Sequence, residues 1–151
     1  MPRSDLDDKA EQERRSTRLQ EYIARLAAAR QRDRVEYDRL FDHAPEGIGL
    51  HEIDLDRVLR RVNGRELEIL RYSRDQMLGH PVVDFVVMSE VSKRAIADKL
   101  SGKRELKPFV RTYRRGDGSA VPLIIVDSYI FDAKGEVAGI CSAVTESALA
   151  F

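Results

Sequence analysis

Three observations predict an α+β fold, a five-stranded antiparallel sheet with short helices on one face and a long amphipathic helix ahead of it. From Arg3 to Ala44 the chain has neither glycine nor proline and is built mostly of Arg, Glu, Asp, Ala, Leu and Gln, the composition of a helix. A middle section alternates short apolar runs with helix-capping signals. Two turn signatures, Arg115-Gly116-Asp117-Gly118-Ser119 and Asp132-Ala133-Lys134-Gly135, then separate three strand-like runs.

The N-terminal helix has a marked start. Ser4 with Asp7 resembles a capping box, and Asp5, Asp7, Asp8 and Glu11 place negative charge at the positive end of the helix dipole. Its apolar stripe, Leu19, Ile23, Leu26, Tyr37 and Leu40, advances by alternating steps of four and three, interrupted at Arg30 and Asp33. Leu19 to Ala29 therefore reads as a face that packs on the domain's own sheet or on a second copy of the helix.

Ile48 to Ile53 and Val58 to Val62 read as the first strand pair. Asn63 with Glu66, and Ser73 with Gln76, each place a cap three residues before a side chain that can return to it, so two short helices start there. Ser89 is the expected cap of a longer helix, Glu90 to Leu100, with Val91, Ala95, Ile96 and Leu100 facing inward and Ser101-Gly102 closing it. Pro108 to Arg114, Val121 to Phe131 and Val137 to Thr145 are the last three strands, and the two glycines around Asp117 are expected to supply positive-φ positions.

The long strand is apolar on both sides. Val121, Leu123, Ile125, Tyr129 and Phe131 point one way and Ile124, Val126 and Ile130 the other. Both faces then need cover, since each large aliphatic side chain left in water forgoes roughly 1.5 to 3 kcal/mol. The short helices cover one face. The N-terminal helix, from the same chain or a partner, must cover the other, and this is the physical reason to expect a homodimer through Leu19, Tyr22, Ile23 and Leu26 with Ile124, Val126 and Ile130.

Composition narrows the function. The 151 residues carry a formal net charge of zero, which offers no global field for nucleic acid or an acidic membrane. The one cysteine excludes an internal disulfide framework or a cysteine-based zinc site and fits a reducing cytoplasm. No apolar run spans a bilayer, and the charged N-terminus lacks a signal-peptide core. No Ser-His-Asp set, phosphate loop or two-histidine metal motif can be picked out, so the chain reads as a non-enzyme, and Arg115-Gly116-Asp117 reads as a turn.

Tyr113-Arg114-Arg115-Gly116-Asp117-Gly118-Ser119, between a charged strand and a long apolar one, resembles the corresponding hairpin of PAS domains, small sensor and interaction modules of signalling proteins. Phe41-Asp42-His43-Ala44-Pro45-Glu46-Gly47-Ile48 is similar to that family's entry into its first strand, Val62-Asn63 to the end of its second, and Tyr72-Ser73-Arg74-Asp75-Gln76-Met77-Leu78-Gly79 to the segment between its first helices. The resemblance runs from Tyr37 to Glu146. The organisation expected is an N-terminal helix over residues 1–36 for dimerisation or signalling, the PAS domain over 37–147 and a short tail over 148–151.

The resemblance implies a cavity between sheet and helices, with Asn63, Tyr72, Phe85, Ile96, Tyr113, Ile125 and Cys141 as candidate walls. Family members hold flavin, haem, small carboxylates, fatty acids or nothing. The light-sensing subfamily has a reactive cysteine three residues after the glycine matching Gly79; Val82 stands there, and His80-Pro81 replaces the usual arginine-asparagine, so covalent flavin photochemistry is not expected. Haem sensors offer an axial histidine from the long helix, which here has none; His80 and Met88 are the subordinate haem alternative. No cofactor or metal is predicted. His51 reads as a strand surface residue, His43 as a helix-end partner and Cys141 as a small buried hydrophobe.

Many PAS domains end on aspartate, an aliphatic residue and threonine, whereas Ala143-Val144-Thr145 lacks the aspartate. Output is therefore expected through the N-terminal helix, to a signalling partner or an effector domain absent from this chain. The alternatives are a ligand-free scaffold, the haem sensor and a small enzyme of similar shape.

Overall fold

The structure, a computed structural model, describes residues 4–102 and 105–149. The first three residues, ahead of the predicted cap at Ser4, and the last two tail residues, Ala150 and Phe151, lie outside the described residues.

The glycine-free segment forms two helices, α1 (Asp5–Arg32) and α2 (Arg34–Asp42). Ser4 closes the predicted capping box: its hydroxyl accepts the Asp7 N–H at 3.1 Å and its own N–H donates to the Asp7 carboxylate at 3.4 Å. The single predicted helix is broken at Asp33, which is extended (φ −152°, ψ 99°), donates its N–H to the Ala29 carbonyl and accepts the Glu36 N–H on its carboxylate. One residue thus caps two helices. The break is tertiary in origin, because α1 doubles back until the Tyr22 hydroxyl reaches the Leu40 carbonyl at 2.5 Å.

After α2 come β1 (Gly49–Asp54), β2 (Leu59–Val62), α3 (Gly64–Leu70), α4 (Arg74–Met77), a 3-10 turn (Val82–Phe85), α5 (Ser89–Leu100), β3 (Phe109–Arg114), β4 (Ala120–Phe131) and β5 (Val137–Glu146). The five strands pair antiparallel in the order β2-β1-β5-β4-β3. Asn63 caps α3 as predicted, and Ser73 with Gln76 forms a full capping box on α4. Ser89 does not cap α5: it is the first helical residue, behind Met88, which makes no side-chain cap bond. The helix is also rotated from expectation, with Val91 61% exposed and Ser92, Ile96 and Lys99 buried.

In the hairpin between β3 and β4 the two glycines do different work. Gly118 takes φ +88°, but Gly116 is not in the positive-φ region; it lies against the α3 C-terminus, where an added Cβ would come 2.0 Å from the Arg71 carbonyl oxygen. Asp117 accepts from both the N–H and the hydroxyl of Ser119 and pairs with Arg71.

Both sheet faces are covered by the same chain. Leu123, Ile125, Ile140 and Val144 pack with residues of α3, α4, the 3-10 turn and α5, including Leu70, Met77, Phe85 and Ile96. On the opposite face Ile124, Val126, Cys141 and Ala143 lie under Leu19, Ile23 and Leu26 of α1 and Tyr37 and Phe41 of α2. No helix among the described residues is long and apolar enough to cross a membrane.

Candidate functional site

The inward row of β4 runs Val121, Leu123, Ile125 and then, in the same phase, Asp127. A carboxylate in an apolar row needs a partner. Lys99, one turn beyond Ile96 on α5, supplies it with Nζ 2.8 Å from Asp127 Oδ2, and the Ser142 hydroxyl of β5 donates to Oδ1 at 2.6 Å. The Lys99 and Asp127 side chains are 7% and 5% exposed. The Lys99 ammonium also lies 3.4 Å from the Phe109 ring centroid.

Ser142 stands opposite Asp127 in the β4–β5 pairing and opposite His51 in the β1–β5 pairing. A polar row therefore crosses three adjacent strands. At its far end His51 Nδ1 lies 2.6 Å from Glu66 Oε1 of α3, with both side chains buried. Glu66 Oε2 has no hydrogen-bond partner among the described residues. Burial lowers the His51 pKa, but the Glu66 carboxylate more than offsets this and the net direction is upward. Glu66, His51, Ser142, Asp127 and Lys99 thus join α3 to α5 through the sheet.

The row borders a small chamber of about 10 Å³, lined by His51, Lys99, Arg111, Tyr113, Asp127 and Ser142 among others. That is close to the least space one water molecule requires. Flavin and haem do not fit it as it stands.

The predicted wall residues divide into groups. Ile96, Tyr113 and Ile125 line the chamber. Tyr72 and Phe85 do not line it; they meet edge to face at 5.0 Å within the same core, and the Tyr72 hydroxyl donates to the Arg114 carbonyl at 2.6 Å. Asn63 is buried, with its amide spent on the Leu50 and Glu66 N–H groups and the Phe41 carbonyl. Cys141 is on the opposite face of the sheet, beside the Tyr37 hydroxyl, and burial pushes its thiol up to about 12. His80 is exposed and Met88 is 65% exposed. His51 is only 3% exposed, which corrects its reading as a surface residue.

Leu19, Tyr22, Ile23, Leu26, Ile124 and Val126, expected at a dimer interface, are buried against one another within one chain, with Ile130 half-buried beside them. Sequence reasoning missed His51, Glu66, Lys99, Asp127 and Ser142. The available signal was Asp127, a charge in phase with an otherwise apolar row.

The fold is an α+β module with its helices and sheet around one core, and the comparisons identify its family. The PAS domain profile matches residues 45–146, and the chain belongs to the PAS family. Among solved structures, the PAS domain of an HTR-like protein from Haloarcula marismortui is 25% identical with TM-score 0.60, covering 89% of this chain and 98% of its own. A PAS domain from Colwellia psychrerythraea is 14% identical with TM-score 0.65, covering 74% and 94%. The PAS domain of a LuxR-family transcriptional regulator from Burkholderia thailandensis, in complex with ethanol, is 21% identical with TM-score 0.59, covering 75% and 98%. No curated protein matches the chain. PAS domains are generally sensor or interaction modules, and the generic role of this chain is that of a signal-transduction sensor domain.

Proposed function

We propose that this PAS domain senses at the charged chamber and reports through α1, working in the cytoplasm as a homodimer that regulates a signalling partner and catalysing no reaction. One observation carries the reading: β4 and β5 are shared between the two regions. Asp127 and Ser142 enter the chamber, while their neighbours Val126, Cys141 and Ala143 lie under α1. A small polar ligand that exchanges into the Lys99–Asp127 pair would shift α5 and both strands, and α1 rests on those strands. Its effect equals its preference for one packing over the other.

The small volume favours a second reading, a scaffold with no resident ligand. Native mass spectrometry of protein purified from cells, with hydrogen exchange of α1 before and after unfolding and refolding, separates the two. A retained small molecule whose removal speeds exchange in α1 is the expected result. An apo mass with unchanged α1 exchange leaves only the scaffold.

A further inference from the structure

We propose that the Glu66–His51 end of the polar row is a proton switch: a proton held between the two side chains keeps α3 seated on β1, and its loss lets α3 lift. This input is separate from a ligand at Lys99 and Asp127, and it stands whether or not one binds there.

The pair is placed to hold a proton. His51 Nδ1 and Glu66 Oε1 are 2.6 Å apart, and the side chains are 4% and 1% exposed. Glu66 Oε2 is buried without a partner among the described residues, so the carboxylate depends on its contact with His51. With His51 charged, that contact is an ion pair. With His51 neutral, a negative charge is left in the core on one neutral donor, the arrangement a buried carboxylate tolerates least.

The other groups facing His51 do not replace the lost proton. Asp127 of β4 is already held by Lys99 of α5 and Ser142 of β5. Arg111 and Tyr113 of β3 line the same chamber, where the Arg111 charge opposes protonation of His51 and the Asp127 charge favours it. Val62, opposite His51 on β2, and Val82 of the 3-10 turn are apolar. The chamber beside His51, about 10 Å³, admits nothing larger than one water molecule, but a proton needs no such space.

The packing directs the response to α3. Gly49 lets the Glu66 backbone lie directly on β1, since an added Cβ there would come 2.8 Å from Glu66 Cβ and 2.9 Å from its Cα. Held that closely, the carboxylate reaches water only when the helix itself rises. Asn63 ties this movement to the N-terminal helices: its side chain accepts the Leu50 and Glu66 N–H groups and donates to the Phe41 carbonyl of α2 at 3.0 Å. Arg65 adds a second tie, to the Ala44 carbonyl at 3.2 Å. Loss of the proton therefore loosens the joint between α2 and β1.

The full wild-type chain provides the test, with the His51 ring followed by NMR and hydrogen exchange followed at the Leu50 and Glu66 amides, corrected for intrinsic rates, from about pH 5.5 to about pH 8.5. The folded His51 value lies above the ordinary 6.5. Opening at these amides should be flat below about pH 6.5, rise by up to about tenfold per pH unit from there to the folded value, and then level off. Glu66→Gln removes the charge and should bring the His51 midpoint down and abolish the step. His51→Gln offers a neutral donor at every pH and should hold both amides at their alkaline level throughout. A His51 ring that titrates while both amides exchange at a constant corrected rate overturns the switch, and so does a ring that keeps one protonation state over this range. Neither result bears on a ligand at Lys99 and Asp127, which the native mass reports separately.

Discussion

Under α1 the sheet is covered by Leu19, Ile23 and Leu26 over Ile124, Val126 and Ala143, with Arg30, Tyr37 and Glu52 meeting to one side and the buried Tyr22 hydroxyl donating to the Leu40 carbonyl. On the other face a polar row from Glu66 to Lys99 runs through the apolar core itself. The strands are the same, so the difference lies in what alternate residues present. Apolar contact is non-directional and can be re-made with any surface of matching shape, which suits a cover that can leave. Buried charges are directional and poorly tolerant of losing a partner, which suits a region that registers chemistry.

The largest effect is expected from Lys99→Met. It leaves Asp127 buried without its cation and should cost about 3–5 kcal/mol in urea unfolding. The double variant Lys99→Met, Asp127→Asn should recover most of that loss, because the charge is gone and Ser142 remains as a neighbour. A single variant as stable as wild type would mean that the chamber is hydrated and its charges are cheap.

Leu26→Ala probes the other face, where the side chain is 1% exposed. The expected cost is about 2–5 kcal/mol if α1 unfolds with the sheet. If α1 detaches as a separate unit, protease cleavage within Asp5–Arg32 rises while the main unfolding midpoint stays put, and the cover is then the less stable part.

Much of this was legible where local chemistry decides. The caps at Ser4, Asn63 and Ser73 depend on residues three apart, and the two hairpins after α5 depend on their turns, so those elements stand where the sequence placed them. The two-sided apolar pattern of β4 was equally readable. Asp33 was not, because nothing around it breaks a helix and only the fold-back of Tyr22 onto Leu40 makes the break pay. Gly116 has the sequence context of a turn glycine, but its constraint is the Arg71 carbonyl of a distant helix. The chamber was hidden for the same reason. His51 and Glu66 meet only when β1 and α3 pack, and the spacing of Glu66 from Asn63 suggests a return to the cap, whereas its side chain turns inward.

The smallest effect concerns the end of the polar row at His51. Burial is the largest single influence and lowers its pKa, but the Glu66 charge, the Glu66 hydrogen bond and the Asp127 charge together outweigh burial and Arg111, so the folded value lies above the ordinary 6.5. A raised folded pKa gives a stability contribution that is fully present below about pH 6.5 and is lost as pH rises through the folded value. Thermal midpoints should therefore decline as buffer is taken upward from about pH 6, and His51→Gln should be less stable at the low end but flatten the slope. Among the described residues the α1 face offers no comparable group, because its buried titratable residues, Tyr22, Tyr37 and Cys141, are all pushed upward and stay neutral through this range. A variant that lowers stability equally at all pH values would show that His51 acts by packing and not by charge, and the two faces would then respond alike to protons.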